Sequence, residues 1–219
     1  MAHEDARNGI GKVFTAQILL IITAICYAIA AICTAVTIGA AASDAMVGAG
    51  ISAILLVVFG LAGGVMSIIG FILQLVGLSK AGKDNDKIKS AFTITIIGLI
   101  IAIVIGIIKS LVGASYAWAG NIGDLVNFII SLIVTYNVLM GCAELNPALQ
   151  EKAEKTWKMY MIVVILDIVI AIVAIIMGIL GVTAVSAVAS YILIILDVVF
   201  EVVSFVMYLM FLAQARNEV

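Results

Sequence analysis

The segment Ser79-Lys80-Ala81-Gly82-Lys83-Asp84-Asn85-Asp86-Lys87-Ile88-Lys89-Ser90 interrupts a chain that is otherwise nearly free of charge. A long apolar run precedes this basic gap, and another follows it. Apolar runs of this length predict membrane-spanning helices, and lysines between them mark a turn at the membrane surface.

The composition agrees with a membrane protein. The chain is 65% hydrophobic and 11% charged, with a mean hydropathy of +1.34. Soluble domains carry about 25% charged residues, so a water-soluble core could not hide this apolar content.

Six stretches are long enough to cross the bilayer, since a spanning helix needs about 20 apolar residues. They are predicted at 13–38, 51–78, 91–112, 122–142, 159–182 and 188–212. The sequence therefore predicts an all-α, polytopic protein with a single six-helix transmembrane domain over 1–219. The first run is too long for a signal-peptide apolar region of about 7 to 15 residues, so we read it as a retained helix.

Basic residues fall almost entirely on one side of the predicted spans. Ten of the eleven lie before the first span, in the second and fourth gaps, or at the end: Arg7, Lys12, Lys80, Lys83, Lys87, Lys89, Lys152, Lys155, Lys158 and Arg216. Only Lys109 falls on the other side. Because basic loops stay in the cytoplasm, both termini are predicted cytoplasmic, in a cell membrane of prokaryotic type.

The even-numbered spans end alike, in Leu75-Val76-Gly77, Leu139-Met140-Gly141 and Leu209-Met210-Phe211. This favours three parallel two-helix repeats at about 1–85, 86–150 and 151–219. The alternative is that any six-span chain starting in the cytoplasm has a basic gap after every second helix.

Small residues at steps of three and four predict the helix faces that pack, because close backbone approach drives association in lipid. The second span carries Gly60, Gly63, Ser67, Gly70, Gln74 and Gly77, and Gly60 with Gly64 forms a GxxxG pair. The first and third spans carry Ala24, Ala28, Ala31 and Ala35, and Gly98, Ala102 and Gly106. We expect these three spans to pack together; a homodimer is the alternative use of the GxxxG pair.

The last three spans carry polar stripes instead. They are Asp124, Asn127, Ser131 and Thr135 on the fourth, Asp167 on the fifth, and Asp197, Glu201, Ser204 and Tyr208 on the sixth. Residues three and four apart share a helix face, so these side chains are predicted to line a polar interior.

Asp167 and Glu201 are predicted roughly 12 Å and 17 Å from the cytoplasmic ends of their spans, at a rise of about 1.5 Å per residue. We expect both carboxyl groups to be buried by protein and to face one another. Lys109 can pair with Asp124 or Asp197, but it is too far toward the outside to neutralise Asp167. Two such carboxylates cannot both ionise cheaply, so a proton or cation is expected between them. The alternative is that both are protonated and only hold helices together.

Asn146 and Pro147 predict a helix start in the fourth gap, because Asn caps helices and Pro suits the first helical position. The fifth helix should therefore begin about two turns before Trp157.

Catalytic motifs are missing from the sequence. His3 is the only histidine, and the cysteines Cys26, Cys33 and Cys142 lie in or at the ends of apolar helices. We expect no enzyme activity, no cofactor, no metal centre and no nucleic-acid partner.

Three functions remain for a protein whose surroundings are the lipid bilayer. The first is a non-enzymatic assembly or accessory component, bound to other membrane subunits or to itself. The second is a proton- or cation-coupled transporter of a small solute, using Asp167, Glu201, Asp197, Asn127, Ser131 and Thr135. The third is the substrate-binding subunit of a multi-component importer.

Overall fold

The computed structural model describes residues 3–42, 46–112, 117–180 and 187–219. Their side chains are described at 3–38, 50–108, 110, 126–169, 172 and 199–219. The helices are α1 (Glu4–Ala42), α2 (Met46–Ala81), α3 (Asp86–Val112), α4 (Ala117–Leu145), α5 (Gln150–Leu180) and α6 (Ala187–Glu218).

The predicted all-α membrane bundle is confirmed. Five segments of the described chain are long and apolar enough to cross a bilayer: Glu4–Ile38, Gly50–Ala81, Asp86–Ile108, Val126–Leu145 and Val199–Glu218. The helices extend beyond the predicted spans because polar residues at their ends, such as those from Glu4 to Lys12, continue the helix outside the apolar region.

The chain forms two compact units, one of Gly11–Gly77 and one of Met1–Ile10 with Leu78–Val219. The predicted single domain and the three repeats stay predictions.

In the unit Gly11–Gly77, α2 approaches α1 along part of the predicted seam. A Cβ atom on Gly63 would lie 3.0 Å from the Tyr27 ring, and one on Gly70 would lie 3.5 Å from the Ala16 carbonyl oxygen. Gly77 is buried as well, so three of the six small or polar residues predicted to pack on α2 are buried: Gly63, Gly70 and Gly77. Ser67 is partly buried.

Gly60 and Gly64 do not take part in this contact. No described atom lies within 4 Å of a Cβ built on either glycine. The GxxxG pair therefore faces away from α1.

The alanine strip predicted on α1 is wrong as a packing face. Ala24, Ala28, Ala31 and Ala35 are all exposed. The buried positions of α1 within this unit are instead Val13, Ala16, Gln17, Thr23, Ala30 and Cys33. The hydroxyl groups of Thr37 and Ser52 lie 2.7 Å apart, and a polar pair between two helices in lipid favours the face that satisfies it.

In the larger unit, α3 contacts α4, α4 contacts α5, and α5 contacts α6. A Cβ on Gly98 would lie 2.9 Å from Ile130, so this glycine of the predicted α3 strip packs against α4. Gly106, on the same strip, has no described atom within 4 Å. The predicted packing of this strip against the first two spans stays a prediction.

The packed core of this unit lies at the polar ends of the helices. Its most deeply buried members include Ile10, Leu78, Ile88, Leu139, Leu149, Phe211 and Leu212, each at most 1% exposed. Polar contacts close the same end. Asp5 lies 3.7 Å from both Lys80 and Lys83, and the Ala6 amide donates to Asp84 at 2.7 Å.

The predicted early start of the fifth helix is confirmed. The Asn146 side chain accepts from the Ala148 amide at 3.0 Å and caps a single 3₁₀ turn, Pro147–Leu149, after which α5 begins at Gln150. The side-chain amide of Asn146 also donates to the Glu218 carbonyl oxygen at 3.2 Å, which connects the end of α6 to this turn.

Candidate functional site

Side-chain contacts fix the register between α4 and α5. The Ser131 and Tyr160 hydroxyl oxygens lie 2.5 Å apart. Five residues further along α4, Tyr136 meets Trp157 edge to face, with ring centroids 4.9 Å apart. The two helices are therefore antiparallel, and Ser131 faces the first turns of the predicted fifth span.

The register between α5 and α6 follows from a contact at their polar ends. The Lys152 ammonium donates to the Gln214 side-chain oxygen. Asp167 lies 15 residues further along α5, and Glu201 lies 13 residues back along α6. At about 1.5 Å per residue these distances are about 22 Å and about 20 Å. The two carboxyl-bearing residues therefore lie at nearly the same level.

A cavity of about 200 Å³ opens at this level between α4, α5 and α6. Its lining residues are Phe128, Ser131, Tyr160, Val163, Val164, Asp167, Glu201, Ser204 and Phe205. Each of the three helices contributes at least one polar side chain. The structure thus brings Ser131, Asp167 and Glu201, from three separate stripes, to one space.

Ser204 is the most deeply buried polar residue on this cavity. It is 2% exposed, and its hydroxyl has no hydrogen-bond partner among the described residues. Leaving a buried hydroxyl unpaired costs about 1–3 kcal/mol. The cavity therefore offers an unused donor and acceptor.

The two carboxyl groups differ in exposure. Asp167 is partly buried, as its place between helices requires, but Glu201 is exposed. The expectation that protein buries both is therefore wrong for Glu201. Buried positions recur along α6 from Ala215 back to Ser204, and the described residues that precede Ser204 on this helix are not buried. The cavity lies next to α6 at this point. Glu201 thus lies at the open edge of the cavity.

The other predicted site residues do not join this group. Asn127 is exposed and Thr135 is buried, and neither lines the cavity. The side chains of Asp197, Asp124 and Lys109 lie outside the described residues. The predicted ion pair of Lys109 with Asp124 therefore stays a prediction.

Sequence reasoning missed the aromatic part of the lining. Tyr160, Phe128 and Phe205 stand outside the predicted polar stripes. Their spacing carried a signal, because Phe128 is three residues before Ser131 and Phe205 is four after Glu201. Residues at these separations are neighbours on a helix surface.

A second polar group joins α3 to the end of α4, beyond the predicted span. Glu144 accepts from Lys87 and from the Asn85 amide, each at 2.9 Å. These hydrogen bonds, the Lys87 one first, lower the pKa of Glu144 below its ordinary value of 4.5. Asn85 also accepts from the Lys87 and Ile88 amides and so caps α3. These hydrogen bonds from Asn85 and Lys87 to Glu144 connect the start of α3 to the end of α4.

Metal ligation has little support in the described residues. No group of three or more His, Cys, Asp or Glu side chains there could hold a metal ion. The cavity's chemistry is that of paired carboxylates, hydroxyls and aromatic rings.

Comparisons with known proteins give no functional assignment. No family model matches the chain, and neither a curated protein nor a solved structure does. Function is therefore inferred from the cavity and its membrane setting.

Proposed function

We propose that this non-enzymatic membrane protein takes up a proton or a cation in the cavity between α4, α5 and α6, and couples it to the movement of a small solute. The observation that carries the proposal is the placing of Asp167 and Glu201 at one level, on one cavity, with Ser131 and Ser204 beside them.

The energetics of a carboxylate inside a bilayer support an occupied site. A charged side chain near the membrane centre costs at least about 2.5 to 3.5 kcal/mol on insertion scales. Two carboxylates around one cavity also repel each other, so a proton or cation between them lowers the free energy of the pair. Intramembrane carboxylates at a cavity are the usual coupling groups of proton- and cation-linked transport.

Proton movement in proteoliposomes tests the proposal. The purified protein is reconstituted with a pH-sensitive dye inside the vesicles, and a potassium diffusion potential drives protons inward, with and without sodium. Wild-type protein should carry protons, and Asp167→Asn and Glu201→Gln should each reduce the rate at least tenfold. Glu151→Gln is the matched control, because Glu151 is exposed in the first turn of α5 and should leave the rate unchanged.

One outcome would contradict the proposal. If both variants unfold at the wild-type temperature and carry protons at the wild-type rate, the carboxyl groups only support packing and the proposal fails.

The proposed location is a cell membrane with both termini in the cytoplasm. The support is the count of basic residues, ten of eleven on one side of the predicted spans. A reporter fused to the C-terminus that is active only in the cytoplasm should be active. Activity of an exported reporter at the same position would reverse the orientation.

A second candidate function is assembly with another membrane subunit or with a second copy. It is favoured by Gly60 and Gly64, the GxxxG pair on α2. A Cβ atom built on either glycine would meet no described atom of a neighbouring side chain or helix within 4 Å. Such pairs allow the backbone of another helix to approach closely.

The mass of the protein in lipid nanodiscs, isolated with its native partners, tests assembly. Gly60→Leu with Gly64→Leu should shift the protein to the mass of a single chain. Gly106→Leu is the control, because Gly106 on α3 also has open space but is not part of a GxxxG pair. An unchanged mass in the double variant would contradict the assembly role of this face.

A further inference from the structure

We infer that the ligand of the cavity is a small organic ammonium ion with an apolar part, in preference to a bare metal cation. The inference rests on the proposed function and names the class of cation that the same site takes.

Aromatic rings from all three helices line the same cavity as the two carboxyl-bearing residues. Phe128 comes from α4, Tyr160 from α5 and Phe205 from α6, and Val163 and Val164 complete the apolar lining. An organic ammonium is attracted to the face of an aromatic ring, and its carbon atoms gain by contact with apolar side chains. A magnesium ion binds through oxygen ligands and keeps much of its water, so it has no carbon atoms to place against these side chains.

The polar groups match an ammonium ion as well. A primary ammonium has three N–H donors. Glu201 and Asp167 offer carboxylate oxygens, and the Ser204 hydroxyl, 2% exposed and unpartnered, offers a third acceptor. Ligand binding would therefore satisfy the hydroxyl that the protein alone leaves unpaired.

Size and access support the same class. A water molecule occupies about 30 Å³ of liquid. The cavity, at about 200 Å³, is several times larger than a single desolvated ion. Glu201 is exposed at its edge, so an amphipathic cation can reach the carboxylate from the side of the helices.

Calorimetry on the purified full-length protein in nanodiscs tests the inference with three probes: n-butylammonium chloride, pentan-1-ol as a neutral molecule of similar length, and sodium chloride. Butylammonium should bind, while pentanol at equal concentration should not, because it lacks the charge. Glu201→Gln should weaken butylammonium binding at least tenfold, and Phe205→Leu should weaken it at least about threefold through loss of the ring. Glu151→Gln should bind as wild type.

Ser204→Ala provides a variant expected to fold, since it only removes an unpaired hydroxyl. It should weaken butylammonium binding severalfold without affecting the melting temperature adversely.

The outcomes separate the two proposals. If sodium or protons act at the site and Glu201→Gln abolishes their effect, but butylammonium neither binds nor competes, the organic-cation inference is wrong and the proposed function stands. If butylammonium binds equally well to wild type and to Glu201→Gln, the inference is wrong. If no probe binds and proton flux is independent of Glu201, both fail.

Discussion

Gly141 offers the sharpest structural test, because it lies where α4 comes closest to α3. A Cβ atom there would lie 2.5 Å from Ile88 Cγ1 and 2.8 Å from Asn85 Oδ1. Ile88 is 1% exposed, so its side chain has no open space into which it can turn. Asn85 caps α3 and binds Glu144, so displacing it breaks two further contacts. Gly141→Ala should therefore destabilise the protein.

The magnitude follows from three effects. Overpacking a filled core costs about 1–3 kcal/mol. Loss of the Asn85 cap costs about 1 kcal/mol, and replacing Gly by Ala in a helix returns about 1 kcal/mol. The net loss is about 1–3 kcal/mol, which lowers the melting temperature by roughly 2–12 °C for a chain of this length.

Thermal unfolding followed by circular dichroism in one detergent measures this loss. Gly106→Ala is the control, because it keeps the helix-propensity gain and meets no described atom within 4 Å. It should be as stable as wild type or more so. A double-mutant cycle with Ile88→Ala should recover part of the loss, because the clashing atom is gone. A melting temperature of Gly141→Ala equal to that of Gly106→Ala would refute the close approach of α3 and α4.

Three further predictions concern single side chains. The pKa of Glu144 is lowered in the folded protein, so its stabilising contribution should be complete above the unfolded pKa, near 4.5, and should disappear as the pH falls through the lower folded value. The difference in melting temperature between wild type and Glu144→Gln should thus be present at pH 7 and vanish in acid. A difference that grows in acid would contradict the stabilising role of the hydrogen bonds to Glu144. Ser204→Ala should stabilise the ligand-free protein by about 1–3 kcal/mol in thermal unfolding, because an unpaired buried hydroxyl is removed; a clear loss of stability would mean that this hydroxyl has a partner. Asn146→Ala should cost about 1 kcal/mol through loss of the cap before α5, while Asn146→Asp should retain most of it, and equal melting temperatures for both would argue against capping.

Apolar run length was sufficient to predict the helices, since only length and hydrophobicity decide whether a segment crosses a bilayer. The helix start at Asn146 and Pro147 was also predictable, because the capping geometry is local. The helix-spacing rule placed Ser131, Asp167 and Glu201 on inward faces; all three line one cavity, but Ser131 and Glu201 are exposed.

Packing faces were harder to predict, because small residues occur on more than one side of these helices. On α1, the alanine strip and the face with Thr23 and Cys33 were equally available, and only the second is buried. The exposure of Glu201 depends on how far along their lengths α5 and α6 stay in contact. This is a tertiary property, and the residues around Glu201 do not determine it.

The closed polar end of the larger unit has a mechanical consequence. Lys152 with Gln214, and Asn146 with the Glu218 carbonyl, fasten α5 and α6 together at one extremity. Asp167 lies about 22 Å from that fulcrum. Tilting one helix by about 10° around it would separate the two walls by about 4 Å at the level of the carboxylates. A rotation of one helix about the fastened end would therefore change the width of the cavity.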